Sequence, residues 1–189
     1  MTVTITPPEF TMVRFSRDHL ARITEELVDA IGITAPVEVV VNERMLTGAL
    51  ELRSVDPIVC YAESGALEDP KRLRDLDPAG AREAIGRLLL EASDRLSEEF
   101  GAPPLGERLS VPHQVAWDCH LVGRLVRMGG RDQRQRRLFG FRNKHGFSDD
   151  VDHAFERLWS GGPMTFPEIA GLSDALRAVR VNDLLGNSS

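Results

Sequence analysis

An α+β fold is predicted for this chain, because its periodicities are segregated along the sequence instead of alternating. One amphipathic helical segment opens it, a block of short β-branched runs follows, and helical spacing then holds to the end. The opening helix spans Arg17–Ile31. Leu20, Ile23, Leu27, Val28 and Ile31 recur three and four residues apart, with Ser16 as cap and Gly32 as stop. Val37–Val41 reads as a strand, Ala49–Arg53 alternates apolar and polar side chains, and Ile58–Ala62 is a third short run. Val3 and Ile5 offer a fourth strand at the edge. Otherwise the first ten residues, like Gly186–Ser189, read as a loosely held end.

Ser64–Asp77 is polar and reads as irregular. Asp77-Pro78 then opens the longest helix, aspartate as cap and proline in the first turn, and this helix is expected to run to about Phe100 before Gly101 stops it. A proline- and glycine-rich stretch, 101–106, separates an α/β part (12–101) from a helical part (107–185), and the two read as one domain over 1–189. In the helical part, helices are predicted at 111–128, ending at Gly129-Gly130, at 149–159 behind Ser148, and at 166–179 after the turn at 160–163. The arginine-rich stretch 131–145 reads as a loop, with Phe139 and Phe141 as a short strand or as anchors.

At 189 residues, 42% apolar and 28% charged, the chain is long enough for a proper core and too apolar for general disorder. Cys60 and Cys119 stand apart inside apolar runs and read as small core residues in a reducing compartment. The opening residues lack the charged and apolar regions of a signal peptide, and no apolar run approaches the roughly 20 residues a membrane helix needs. The expected location is the cytoplasm, without a membrane partner.

Net charge is −6, unevenly divided: residues 1–100 hold 11 basic and 19 acidic side chains, residues 101–189 hold 12 and 10. Within 124–145, eight basic groups face one acid, Asp132. An acidic chain with one basic island is not a general nucleic-acid coat.

On the long helix Ala81, Ile85, Leu88, Leu89, Ala92, Leu96 and Phe100 share one side, which is expected to face the sheet. Leu90 and Asp94 lie together on the opposite side, so a large apolar residue points away from the obvious core. The order of helix, Val-rich strand, two short strands including Ile58-Val59-Cys60-Tyr61, and a long helix closing near Phe100-Gly101 resembles the small zincin-like (minimal matrix-metalloprotease-like) domains of bacteria. The resemblance covers residues 17–101. In that family the last helix carries His-Glu-x-x-His, two histidines on zinc and a glutamate as general base. It implies Glu91 in the glutamate position, with Leu90 where the first histidine belongs and Asp94 where the second does. Leucine has no lone pair for zinc, so the resemblance implies a scaffold that has lost the peptidase site. Glu91 and Asp94 also read simply as solvated charges on an amphipathic helix.

On the helix at 111–128, Val111, Val115, Cys119, Val122 and Val126 form an apolar stripe, and the other face presents His113, Trp117, His120, Arg124 and Arg127. Seven residues place the two histidines roughly 10 Å apart, too far to share one ion. They read as partly exposed, hydrogen-bonded side chains. A metal-dependent hydrolase is the alternative, with Glu91 as catalytic base and His113, His120 and Asp94 as ligands to zinc. The basic stretch mixes Arg131, Arg134, Arg136 and Arg137 with phenylalanines, which suits an anion or unpaired bases. The reading taken is an internal ion-pair seam, with the stretch docked on the acidic half.

The reading is therefore a binding or interaction protein without a cofactor, whose partner is another protein or a second copy. Nucleic acid is possible but not favoured. The helices of the second half are expected to bury Leu90 together with Trp117.

Overall fold

Helix α1 (Arg17–Ile31) forms where the apolar spacing places it. In the computed structural model, which describes residues 2–186 (those from 179 onward as backbone alone), Ser16 accepts a hydrogen bond from the His19 N–H. Gly32 closes the helix at φ 83°, a left-handed conformation that glycine adopts without steric cost. The described residues form an α+β fold of six helices, a four-stranded mixed sheet and a two-stranded sheet. They gather into two units, Met1–Leu96 and Ser97–Ser189. No described helix is long and apolar enough to cross a membrane.

The first unit holds both sheets. Strands β1 (Val3–Thr6), β2 (Val37–Asn42), β3 (Leu50–Val55) and β4 (Ile58–Glu63) lie in the order β1-β2-β4-β3. β1, β2 and β4 run parallel, and β3 returns antiparallel at the edge. So the first ten residues are not a loose end: four of them form an edge strand, as the Val3 and Ile5 pattern suggested. The looseness expected of 187–189 falls outside the described residues.

Burial alternates along the strands. Val37, Val39 and Val41 of β2 and Ile58, Cys60 and Ala62 of β4 are buried, whereas Glu38, Val40, Asn42, Val59 and Tyr61 are only half-buried. Helices α1 and α2 (Pro78–Leu96) pack on one another, α1 against β1 and α2 against β3 and β4. They cover the first set and leave the second open. Each aliphatic side chain enclosed this way contributes about 1.5–3 kcal/mol of transfer free energy.

The stretch after β4 corrects the sequence reading. Instead of an irregular segment, a short 3-10 turn (Ser64–Ala66) leads into a hairpin of β5 (Glu68–Asp69) and β6 (Arg72–Leu76). Its side chains are half-buried or exposed, so no apolar alternation announced it. The turn is tight. A Cβ on Gly65 would meet the backbone carbonyl oxygens of Leu46 and Thr47, so only glycine fits there. The long helix stops at Leu96, four residues short of Phe100.

In the second unit, α3 (Val111–Arg127) packs against α4 (Arg134–His145), α5 (Asp149–Ser160) and α6 (Phe166–Gly186). Ser110 and Ser148 cap α3 and α5 through the His113 and Val151 N–H groups. Because α3 has neighbours on several sides, Trp117 and His120 are buried along with Cys119, Leu121, Val122 and Leu125, and Val111 is exposed. The apolar stripe expected of this helix, widened by Leu121 and Leu125, is therefore extended by Trp117 and His120 and loses Val111. Phe141 meets Phe155 in a tilted contact and Phe155 stacks on Trp159, with ring centroids 5.9 and 5.5 Å apart.

The larger correction is α4. The arginine-rich stretch is a helix, not a loop or a strand, because Leu138, Phe141 and His145 recur at helical spacing and are buried on one side. The Phe139-Gly140-Phe141 alternation that suggested a strand leaves Phe139 outside and Phe141 inside.

At Gly123 α3 and α5 approach closely, since a Cβ there would meet the Trp159 carbonyl oxygen. Gly123→Ala is expected to lower stability by about 1–3 kcal/mol in urea unfolding despite alanine's better helix propensity. A neutral or stabilising result would show that the two helices have room to part.

Candidate functional site

Helix α2 presents Leu88, Leu89 and Leu90 to burial in succession, so its C-terminal half is enclosed on more than the sheet-facing side. Leu90 is 1% exposed. Asp94, one turn on, is 4% exposed, so it is not the solvated charge the sequence allowed. Glu91 lies between them in sequence and takes two N–H groups of Arg95, at 3.0 and 2.9 Å, across one helical turn. Arg95 is itself nearly buried, which fixes the pair.

Zinc needs lone pairs from thiolate, imidazole or carboxylate at about 2.0–2.3 Å. Leu90 has none, and the Glu91 carboxylate is already engaged by a guanidinium. These residues do not fit a zinc-holding set. Among the described residues, no three His, Cys, Asp or Glu side chains converge in a way that could hold a metal ion. Nor is either cysteine primed for nucleophilic work. Burial and then the Glu91 charge push the Cys60 thiol up to about 12, and burial followed by the Asp118 charge pushes Cys119 up as well.

The histidines on α3 have separate surroundings. His113 donates from Nε2 to the Asp174 carboxylate of α6 at 2.8 Å. His120, buried and not partly exposed as expected, donates from Nδ1 to the Leu158 carbonyl oxygen of α5 at 3.2 Å. His113 and His120 lie in the second unit, Glu91 and Asp94 in the first. Trp117 is buried with its ring 5.6 Å from Phe100 and 5.3 Å from Phe166.

Of the basic stretch, Arg134 pairs with Glu156 and Arg137 with Asp118. Arg142 makes a two-pronged contact with Asp152 at 2.7 and 2.5 Å, and this fork holds the Asp152 carboxyl below its usual range. All three acids come from the helical unit itself. Arg131 and Arg136 are exposed.

Sequence reasoning passed over two features. One is His145, buried at the end of α4. Its Nδ1–H donates to the Phe141 carbonyl at 3.1 Å, and its Nε2 accepts from the Ser173 hydroxyl at 2.8 Å. The available signal was its place in the Leu138–Phe141–His145 series. The other is a cleft of about 420 Å³ on the open face of the first unit's sheet. Thr6, Val40 and Tyr61 are successive register partners in its floor, and Pro7, Thr11 and Met12 form a wall. One carboxylate oxygen of Glu43 accepts from the Thr11, Met12 and Val13 N–H groups at 2.8, 2.6 and 3.2 Å, so the wall is tethered to the end of β2. Only strand register brings these residues together.

Comparison with protein-family models, with curated proteins and with solved structures finds no match.

The buried His145 suggests a pH test. Burial first, then the charges of Arg177 and His113, hold its affinity for a proton below the ordinary value of 6.5, against a smaller opposing effect of the Phe141 carbonyl. The unfolded chain therefore takes up a proton that the folded chain refuses. Stability should be level above about 6.5 and fall as the pH drops below it. In urea titrations between about pH 7.5 and pH 5.5 this loss should be smaller in His145→Gln. An unchanged slope would show that other groups set the dependence.

Proposed function

We propose that this protein has a binding or interaction role, built on a zincin-like scaffold that has lost peptidase chemistry. The observation that carries the reading is Leu90, an enclosed aliphatic side chain where the resembling family has a zinc-holding imidazole, followed by a glutamate committed to Arg95. A general base must be free to take a proton from water, and a carboxylate gripped by a nearly buried guanidinium is poorly placed to do so. Further support comes from the order of elements: α1, the Val-rich β2, the short β3 and β4, and the long α2 run in the sequence on which the resemblance rests. The free, buried Cys60 and Cys119 favour a reducing compartment, and the cytoplasm is the location proposed. The partner in this reading is another protein or a second copy of the chain.

Metal analysis of protein purified without chelator tests this directly. Less than about a tenth of an equivalent of zinc, manganese or iron is expected, together with background hydrolysis of unfolded casein. A full equivalent of zinc with chelator-sensitive hydrolysis would establish the metal-dependent hydrolase instead, with Glu91, Asp94, His113 and His120 as the residues to examine.

A second reading has its own observation. On α4 and two residues past its end, Phe139 is 61% and Phe147 69% exposed, each three residues along the chain from an exposed cation, Arg136 and Lys144. Aromatic rings and cations in such proximity suit unpaired bases and phosphates. On this reading a fluorescent single-stranded oligonucleotide binds at low salt, and Arg136→Ala with Lys144→Ala weakens it. Arg134 and Arg137, already paired inside the unit, are the wrong residues to mutate. No anisotropy change at low salt would remove nucleic acid from consideration.

A further inference from the structure

We infer that the open face of the sheet in the first unit is a binding site for a small organic carboxylate, with Arg44 as its counter-ion and Tyr61 as a second donor. This gives the binding role a place and a ligand class. It is also tested separately, since metal and peptidase assays read α2 and the titration below reads the opposite face of the sheet.

The cleft has the size and setting of a ligand site. Its volume of about 420 Å³ suits a molecule of one or two rings, and it lies beyond the carboxyl ends of the parallel strands β1 and β2. Val40, Pro7 and the half-exposed Met12 give it apolar surface that no element of this unit covers.

The polar groups decide the ligand's charge. The Arg44 N–H takes the Asn42 side-chain oxygen at 3.1 Å, which turns the Asn42 amide NH2 toward Tyr61. That NH2 donates to the Tyr61 hydroxyl oxygen at 3.0 Å, so the phenol accepts there and keeps its own proton to give. Arg53 lies over the Tyr61 ring, 3.5 Å from its centroid, which holds the ring in place. The Arg44 side chain is exposed, and its guanidinium pairs with no carboxylate among the described residues. A guanidinium fork and a phenol proton at one apolar cleft are complementary to an anion.

The neighbouring acids narrow the choice to a monoanion. The backbone N–H groups of 11–13, which would otherwise cradle a phosphate, are filled by the protein's own Glu43. Glu38, which accepts from the Thr6 hydroxyl at 2.7 Å, places a second carboxylate on the same face. A doubly charged phosphate ester would meet both acids with one arginine to offset them. A monocarboxylate on an apolar body meets less repulsion from those two acids than a dianion does, against the same Arg44.

The probe is benzoate, titrated into the full chain and followed by backbone amide NMR. Saturable shifts confined to residues 6–12, 40–44 and 61 are expected. Arg44→Ala should weaken binding by about tenfold, the effect of losing one charge-assisted pair, and Tyr61→Phe by a smaller factor. Arg44→Lys keeps the charge without the fork and should fall between wild type and Arg44→Ala. Arg44 is exposed, so circular dichroism should read all the variants as folded. Phenyl phosphate should bind more weakly than benzoate, and benzyl alcohol not measurably. Shifts that fail to saturate, that scatter over the molecule, or that persist unchanged in Arg44→Ala would overturn the site. Equal binding of benzyl alcohol would overturn the role of charge, and tighter binding of phenyl phosphate would overturn the assignment to carboxylates.

Discussion

Parallel pairing of β1 with β2 obliges the chain to cross back over the sheet between them, and it does so with α1. β3 then returns antiparallel, β4 joins β2 in parallel, and α2 packs beside α1. The helices press on Val37, Val39, Val41, Ile58, Cys60 and Ala62, while the alternate residues are left half-buried. Parallel sheets are commonly covered on both faces, so a half-covered one leaves a surface available for other use. The cleft at Tyr61 and Arg44 is a consequence of that one-sidedness.

Helix α2 is enclosed on more than the side that faces the sheet. A metal-holding helix must turn two imidazoles and a glutamate toward water and substrate. This helix instead encloses three successive leucines and an aspartate, and it ties its glutamate to Arg95. Burial favours an aliphatic side chain at position 90 by the free energy that would oppose a charged or open site there.

The basic segment shows why local charge counts mislead. Eight cations against one acid along 124–145 suggest a surface seeking an anion. Once α4 forms, its arginines reach across to Asp118, Glu156 and Asp152 on neighbouring helices, acids distant in the linear count and adjacent in space. What remains exposed is smaller and partly aromatic.

The sequence by itself determined whatever depends on neighbours within a turn or two. That covers α1 with its Ser16 and Gly32 ends, strands β2, β3 and β4, the Ser148 cap of α5, and the position of the Leu90-Glu91-x-x-Asp94 pattern. Each rests on propensity, periodicity or capping, which are local. Only the tertiary structure decided the rest. It turned 134–145 into a helix by burying Leu138, Phe141 and His145, made a hairpin of an unpatterned polar stretch, enclosed Asp94 and His120, and aligned Thr6, Val40 and Tyr61 across three strands. Register and burial depend on which surfaces meet, and residues far apart in the chain carry no mark of that meeting in their spacing.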